Sequence, residues 1–306
     1  MQTQKTKQKW SKGLNTKFGK RLVDITTTTA GVTAHFEDGT SETGSVIIDA
    51  DGGASQIRKW LLGPLVAPDV LPYVFMKFSF CSTAEHALYI DIHIHPIVDV
   101  GVHPDSMYLA LQVLDKSDLQ KPETWLFYIL TTWPLTTDED REDTGDSLQR
   151  LRARMGNDWC EPFKSAVGWL PDDIEIKSDV LRIWHGKQWD NRSGTVALAG
   201  DAAHSMTFRK CTSPVLLKAT DITADRGQGG NNAFNDVFQF VDAIVAVPKG
   251  EKLLKDAINQ YDKGVLSRGQ TEVEVSRQMT VAVNDYSKLL TSPIMTHGIR
   301  PMHEVK

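Results

Sequence analysis

The stretch Thr195-Val-Ala-Leu-Ala-Gly-Asp-Ala-Ala-His204 decides how the rest of the chain is interpreted. It opens with a short apolar run, typical of a buried strand, and continues into Gly200 and Asp201. A strand that ends in Gly-Asp places a carboxylate at the edge of a sheet, where small residues let a ligand approach the backbone closely. The sequence therefore predicts a ligand-binding strand end at Asp201.

A second stretch lies further along the chain. Residues 227–232 read Gly-Gln-Gly-Gly-Asn-Asn and lead into a helical pattern. The first N–H groups of a helix have no acceptor within the helix, so this run suits an anionic or strongly polar ligand.

A third stretch has a similar form. Val46-Ile-Ile48 predicts a buried strand, which runs into Asp49-Ala-Asp-Gly-Gly-Ala-Ser-Gln-Ile-Arg58. A strand that ends in Asp51-Gly52, a serine that caps the next helix and an arginine in its first turn predict a polar pocket for a pyrophosphate-bearing ligand. A plain strand-turn-helix with a capping serine explains the same residues, and both interpretations stay open.

Together the three stretches resemble the flavin-dependent aromatic hydroxylases of the p-hydroxybenzoate hydroxylase type and related fungal FAD-dependent monooxygenases. That family reads G-D-A-A-H, then G-Q-G-x-N, and further upstream G-A-D-G-x-x-S-x-V-R, where this chain has Asp49 in place of the first Gly. The resemblance implies that Asp201 binds the ribityl chain of FAD and that the glycine-rich run lies near the flavin ring. The residues it assigns to the cofactor are Asp51, Gly52, Arg58, Gly200, Asp201, Gly229, Gly230 and Asn231.

The chain departs from the family in two places. Relatives begin with a βαβ unit that carries G-x-G-x-x-G, and nothing before Val46 matches that fingerprint. Residues 209–225 stand where the family has only a residue or two. A surface insertion of this length is thermodynamically tolerable, and the segment is either a lid or a retained in-frame intron.

The predicted fold class is α/β (α+β), with an incomplete FAD-binding parallel sheet domain, an inserted and mostly antiparallel substrate-domain sheet, and C-terminal helices. The predicted boundaries are 1–70 for the partial FAD-binding domain, 71–190 for the substrate domain, 191–248 for the second part of the FAD-binding domain and 249–306 for a C-terminal helical segment. Strand-like patterns lie at 74–80, 86–95, 106–114 and 125–133. Apolar residues recur at helical spacing from Phe234 to Val245 and predict a helix packed in the core beneath the cofactor loop.

Composition limits the classes of partner and compartment. The net charge of −5 argues against a nucleic-acid-binding protein. Three scattered cysteines, at 81, 160 and 211, indicate a reducing compartment without a disulfide framework, so a cytoplasmic location is expected. No apolar run approaches the roughly 20 residues of a membrane span.

Two groups of histidines are candidates for other chemistry. On a strand, Asp91, His93 and His95 would share one face and could bind a metal with His103, but a pocket wall or solvent face is the favoured interpretation, so no metal site is assigned. His204 is expected to pack or to form a hydrogen bond at the cofactor rim rather than to transfer protons.

The resemblance implies an FAD- and NAD(P)H-dependent monooxygenase that uses O2 to hydroxylate or epoxidise a small aromatic or lipophilic substrate of the secondary-metabolite kind. The cofactor carries the oxygen chemistry, so no catalytic side chain is assigned. The alternative is a truncated, flavin-free pseudoenzyme that acts as a small-molecule-binding protein or as a cofactor-independent isomerase or cyclase. The sequence does not predict the oligomeric state.

Overall fold

The computed structural model describes residues 11–29, 31–136, 140, 146–206, 229–289 and 291. These residues form the mixed α/β fold that the sequence predicts, with separate sheets and with helices towards the C-terminal end. The chain divides into two compact units. Of the described residues, those within Lys7–Val70 and Arg182–Arg277 belong to the parallel-sheet unit, and those within Leu71–Leu181 and from Gln278 onwards belong to the antiparallel-sheet unit. The insertion predicted at 209–225 lies outside the described residues.

The parallel-sheet unit contains two small sheets. Strands β1 (Leu22–Thr28), β2 (Gly31–Phe36) and β3 (Ser41–Gly44) form an antiparallel meander. Strand β4 (Ile47–Asp49) pairs in parallel with β10 (Val196–Leu198). This parallel pair is what brings two distant parts of the sequence together.

Helices surround the parallel pair. Helix α1 (Gln56–Leu62) begins after Ser55, whose side chain accepts a hydrogen bond from the Arg58 N–H, as the capping prediction requires. Helix α5 (Gly229–Ala246) begins within the glycine-rich run, and helix α6 (Leu254–Val283) is one continuous helix. The core of this unit includes Trp184, Val196, Leu198, Ile258, Tyr261 and Val265.

The antiparallel-sheet unit is built on five strands. These are β5 (Asp69–Phe80), β6 (Asp99–His103), β7 (Met107–Asp115), β8 (Leu126–Pro134) and β9 (Ser178–Ile183), in the order β6-β7-β8-β5-β9. Helices α3 (Ser147–Met155) and α4 (Phe163–Gly168) contribute Leu151, Met155, Phe163 and Ala166 to the core that the sheet shares. The short helix α7 (Tyr286–Leu289) follows α6.

The strand predicted at 86–95 is wrong, because this segment forms helix α2 (Ala84–His93). Alternating large residues suggested a period of two, but the buried residues are Ala87 and Ile90, three apart, which is helical spacing. Thr83 caps the helix by accepting a hydrogen bond from the His86 N–H. The real edge strand of this sheet, β6, lies further along the chain.

The helix separates the residues weighed as metal ligands. Asp91 pairs with Lys116, and the His93 ring stacks on Tyr89 with its Nδ1 2.7 Å from the Tyr89 carbonyl oxygen. Among the residues that the structure describes, no three His, Cys, Asp or Glu side chains are grouped so as to hold a metal. None of the helices within those ranges combines the length and apolarity that a membrane crossing needs.

Candidate functional site

The ends of β4 and β10 lie side by side. Leu198 is paired with Asp49, and the Ala199 N–H donates to the Asp49 carbonyl oxygen at 2.8 Å. Because the strands are parallel, the turns that follow them leave the same edge of the sheet. The exposed Asp51 and the half-buried Asp201 are therefore carried on neighbouring turns.

Arg58 holds these two turns together. Its Nη1 donates to the carbonyl oxygens of Asp201 and Ala202 at 2.8 and 3.1 Å, and its Nη2 donates to the carbonyl oxygen of Gly53. The residue is only 2% exposed and its guanidinium lies 4.5 Å from the centre of the Trp184 ring. Burial lowers the pKa of Arg58, and nearby carboxylates oppose that shift. The guanidinium donates here to backbone carbonyls of the two turns.

Asp49, which replaces a family glycine, shapes the first turn. Its Oδ2 accepts a hydrogen bond from the Ser55 hydroxyl, and its Oδ1 accepts one from the Asp51 N–H at 3.3 Å. Burial raises the pKa of Asp49 to about 6. Asp51 in turn accepts a hydrogen bond from the Gln56 N–H at 3.0 Å, which links the turn to the start of α1.

The second turn depends on Asp236, a residue that the sequence analysis missed. The Asp236 Oδ2 accepts hydrogen bonds from the Gly200 N–H and from the His204 Nε2, both at 2.7 Å, and its Oδ1 accepts one from Arg268. The side chain is fully buried. Burial alone would raise the pKa of Asp236, but the hydrogen bonds from His204, Gly200 and Arg268 lower it overall.

A signal for Asp236 was present in the sequence. It lies three residues after Ala233 and four before Phe240, so the three share one face of a helix. Ala233 lies against Gly200, and Phe240 packs on the core of the unit. A carboxylate in line with inward-facing residues indicates a buried partner nearby, and the N–H of Gly200 is that partner.

His204 is buried in the same network. It is 2% exposed, and a Cβ on Gly269 of α6 would lie 2.5 Å from the His204 Cβ. The predicted packing and hydrogen-bonding part for His204 is the one the structure shows.

The remaining predicted residues are glycines and the first turn of α5. Gly52 has φ +93° and Gly230 lies in the first turn of α5, and among the described residues no atom beyond the immediate neighbours lies within 4 Å of where a Cβ would stand on either residue. Gly200 has φ +57°, and its added Cβ would lie 3.2 Å from that of Ala233. Gly229 and Asn231 belong to the same first turn of α5, the helix whose Ala233 and Asp236 contact Gly200 in the turn that carries Asp201.

This arrangement suits part of a nucleotide cofactor. Two carboxylates at one sheet edge accept hydrogen bonds from hydroxyl groups, and open glycine backbone permits a close approach. A helix start beside them favours polar or anionic groups. The residues thus fit the hydroxyl-bearing chain of FAD, while the Arg58 N–H groups that would suit a pyrophosphate donate to backbone carbonyls.

Comparison with known proteins identifies similar chains. This chain is 28% identical over 291 residues to the FAD-dependent monooxygenase cctM of Talaromyces islandicus, covering 95% of this chain and 69% of that protein. It is 27% identical over 298 residues to the FAD-dependent monooxygenase phnB of Penicillium herquei, covering 95% and 68%. No family model matches the chain.

Solved structures share the fold. HpxO of Klebsiella pneumoniae, complexed with FAD and uric acid, superposes with a TM-score of 0.66 at 22% identity, covering 95% of this chain and 64% of that one. The 2,6-dihydroxypyridine-3-hydroxylase of Arthrobacter nicotinovorans gives 0.64 at 18% identity, covering 87% and 65%. By sequence the chain is similar to FAD-dependent monooxygenases, and it shares the fold of these two solved structures. It spans just under two thirds of the length of these two structures.

Proposed function

We propose that the chain is part of an FAD-dependent monooxygenase, in which the turns after β4 and β10 bind FAD and the five-stranded sheet borders the substrate. The enzyme uses O2 and NAD(P)H to hydroxylate or epoxidise a small aromatic or lipophilic molecule. The observation that carries the proposal is the parallel pairing of β4 with β10, which puts Asp51-Gly52 and Gly200-Asp201 on one sheet edge. The relatives at 28% and 27% identity, both FAD-dependent monooxygenases, support it.

Each residue has a defined part in this proposal. Asp201 and Asp51 accept hydrogen bonds from cofactor hydroxyl groups, and Gly52 and Gly230 let the cofactor lie against the backbone. Arg58 fixes the spacing of the two turns from beneath. Bound FAD supplies the oxygen chemistry, and the protein positions the substrate and excludes water.

The resemblance to the flavin-dependent aromatic hydroxylases implies that the five-stranded sheet of the antiparallel-sheet unit forms the wall of the substrate pocket. A cytoplasmic location belongs to the proposal as well, because the scattered cysteines indicate a reducing compartment.

The test is a titration of the purified chain with FAD, followed by flavin absorbance and fluorescence. We expect binding that Asp201→Asn weakens at least tenfold, because an amide offers hydroxyl donors one acceptor oxygen in place of two. Asp190→Asn is the matched control, since Asp190 is an exposed carboxylate of the same unit that pairs with Arg192. Equal affinity for both variants would contradict the assignment of Asp201.

A second candidate is the flavin-free binding protein, isomerase or cyclase. It is favoured by the Arg58 guanidinium, whose Nη1 and Nη2 groups donate to backbone carbonyl oxygens. A protein that leaves the absorbance and fluorescence of added FAD unchanged, but still binds small aromatic molecules, would establish this candidate and overturn the first.

A further inference from the structure

The sequence of strand β6 is self-complementary. It reads Asp99-Val-Gly-Val-His103, with an acidic and a basic side chain at equal distances from Gly101 and a valine on each side of that glycine. Two copies of the strand that run antiparallel and meet at Gly101 would place each Asp99 opposite the partner's His103 and each Val100 opposite the partner's Val102. Opposite charges and paired β-branched residues are both favourable neighbours across antiparallel strands.

Strand β6 lies at an edge of the five-stranded sheet. Among the residues that the structure describes, it pairs only with β7. The Val100 N–H donates to the Asp99 Oδ1 at 3.0 Å, which directs this N–H away from β7. Because the N–H and C=O groups of alternate residues point the same way along a strand, Val100 and Val102 both present these groups at the open edge.

The two faces of β6 limit the registers in which it can pair. The Trp159 side chain, part of the core, lies against Gly101, where an added Cβ would come 2.7 Å from the ring. Asp99 and His103 share this face with Gly101, and the two valines share the other. A second copy keeps its faces on the same sides only if the register shifts by an even number of residues, and the register centred on Gly101 is the one that joins Asp99 to His103.

The His103 side chain has a donor for this contact. Its Nδ1 accepts a hydrogen bond from the Asp105 N–H at 3.2 Å, so the proton of the neutral ring is on Nε2. Within the described ranges Nε2 makes no hydrogen bond, and the Asp99 carboxylate is engaged through Oδ1 alone. The ring stacks on Trp159 with 5.5 Å between ring centres, so little side-chain freedom is lost when it pairs.

Exposed apolar side chains accompany the open edge. Ile97 is 71% exposed, Val98 37% and Val100 53%. A charge on an edge strand normally discourages pairing with another chain, but in this register each charge of β6 meets its opposite. The edge is therefore suited to one partner, a second copy of itself.

We infer that β6 is the contact of a homodimer, in which the strands of two identical chains pair antiparallel about a twofold axis at Gly101 and join their five-stranded sheets. A twofold axis brings the same patch of both chains together, which the charge-reversed order of β6 permits. The inference goes beyond the proposed function and does not depend on it.

A second exposed apolar surface provides the alternative contact. It is the outward face of α5, whose side chains belong to residues between 43% and 69% exposed. The members are Phe234, Val237, Phe238, Val241 and Val245. The sequence predicted these residues in the core, and that prediction is wrong for all five. Unlike β6, this face has no charge pattern that selects a partner.

The first test measures mass and backbone protection of the full chain. Light scattering after size exclusion, over a series of protein concentrations, should show a reversible dimer of twice the 34.1 kDa chain mass. Hydrogen–deuterium exchange should show the Val100 and Val102 amides exchanging at least tenfold more slowly in the dimer than in the dilute monomer.

Charge variants then test the register. Asp99→His sets two histidines opposite each other and His103→Asp sets two aspartates, so each variant alone should dimerise about tenfold more weakly. An equal mixture of the two variants should recover most of the affinity, because every pair in the mixed dimer again joins a histidine to an aspartate. Asp173→His is the matched control, since Asp173 is an exposed carboxylate of the same unit, and it should leave the dimer unchanged.

Three results would overturn the inference. They are a monomer at every concentration, a mixture that dimerises no better than its components, and a dimer with unprotected β6 amides, which would place the contact on another surface such as α5. If either charge variant does not fold, the exchange measurement on the unaltered chain decides.

Discussion

Arg58 and Asp201, 143 residues apart in the sequence, are joined by a 2.8 Å hydrogen bond from the guanidinium Nη1 to the carbonyl oxygen. The same guanidinium reaches Gly53 on the other turn, so one buried side chain ties together the two strand ends of the candidate site. The spacing of the two turns is therefore set by contacts within the fold.

Arg58→Ala should lower the free energy of unfolding by about 2–4 kcal/mol, because it removes charged donors from buried carbonyl oxygens and leaves a cavity beside Trp184. Arg58→Lys should recover little of this, since one ammonium does not reproduce the planar fork that spans both turns. Denaturant unfolding measures the difference. The control is Lys59→Ala on the exposed side of the same helix. If both variants lower the free energy of unfolding equally, Arg58 does not hold the two turns together.

Asp236→Asn should destabilise the protein by about 2–4 kcal/mol, because an amide does not accept hydrogen bonds from Gly200, His204 and Arg268 together. Since the pKa of Asp236 is lowered in the fold, the stability it contributes is present above the unfolded pKa near 3.8 and is lost on acidification. Unfolding curves at neutral pH and below pH 4 measure both effects. Asp242→Asn, an exposed position on the same helix, should change little, and the prediction fails if the two variants match.

The strands β4 and β10 could be predicted because each is short, apolar and followed by a glycine-containing polar turn, whereas their parallel pairing was implied by the family resemblance. Local residue types decide that pattern. The Asp236 network could not be predicted in the same way, because its partners come from the Gly200 turn, α5 and α6. Only the tertiary structure brings Gly200, His204 and Arg268 to one carboxylate.

Two sequence predictions failed for physical reasons. In α2 the alternation of large residues suggested a strand, but the Thr83 cap and the spacing of Ala87 and Ile90 favoured a helix. In α5 the spacing correctly predicted a helix, yet it did not tell which apolar face packs on the core. Phe238 faces outward and Phe240 inward, and two equally apolar residues give no sequence signal for that choice.

Gly269→Ala should destabilise the protein by about 1–3 kcal/mol, because the added Cβ would lie 2.5 Å from the His204 Cβ. Gly264→Ala, on the same helix, is the matched control, and it should change the stability in the opposite direction. Its Cβ would meet only the end of the Gln239 side chain at 3.2 Å, so the helix propensity of alanine should stabilise it by up to about 1 kcal/mol. Thermal unfolding shows whether each variant is more or less stable than the unaltered protein. Stabilisation by Gly269→Ala would show that α6 does not pack closely on His204.

Asp262→Asn should remove a pH dependence of stability. Asp262 lies on α6 and its Oδ2 accepts a hydrogen bond from the Asn191 Nδ2 at 2.7 Å. Burial raises the pKa of Asp262 to about 7 from an ordinary value of 3.8. Because the folded pKa is the higher one, the contribution of this group is fully present below about pH 4 and is lost as the pH rises through about 7.

The expected loss in the unaltered protein is on the order of 3–4 kcal/mol between those two pH values. In Asp262→Asn the free energy of unfolding should decline less steeply over the same interval, because asparagine keeps an oxygen acceptor for Asn191 without a charge to bury. Asp256→Asn, exposed on the same helix, should retain the slope of the unaltered protein. Denaturant unfolding at half-unit steps of pH measures the curves, and parallel curves for the protein and Asp262→Asn would mean that this carboxylate ionises as freely when folded as when unfolded.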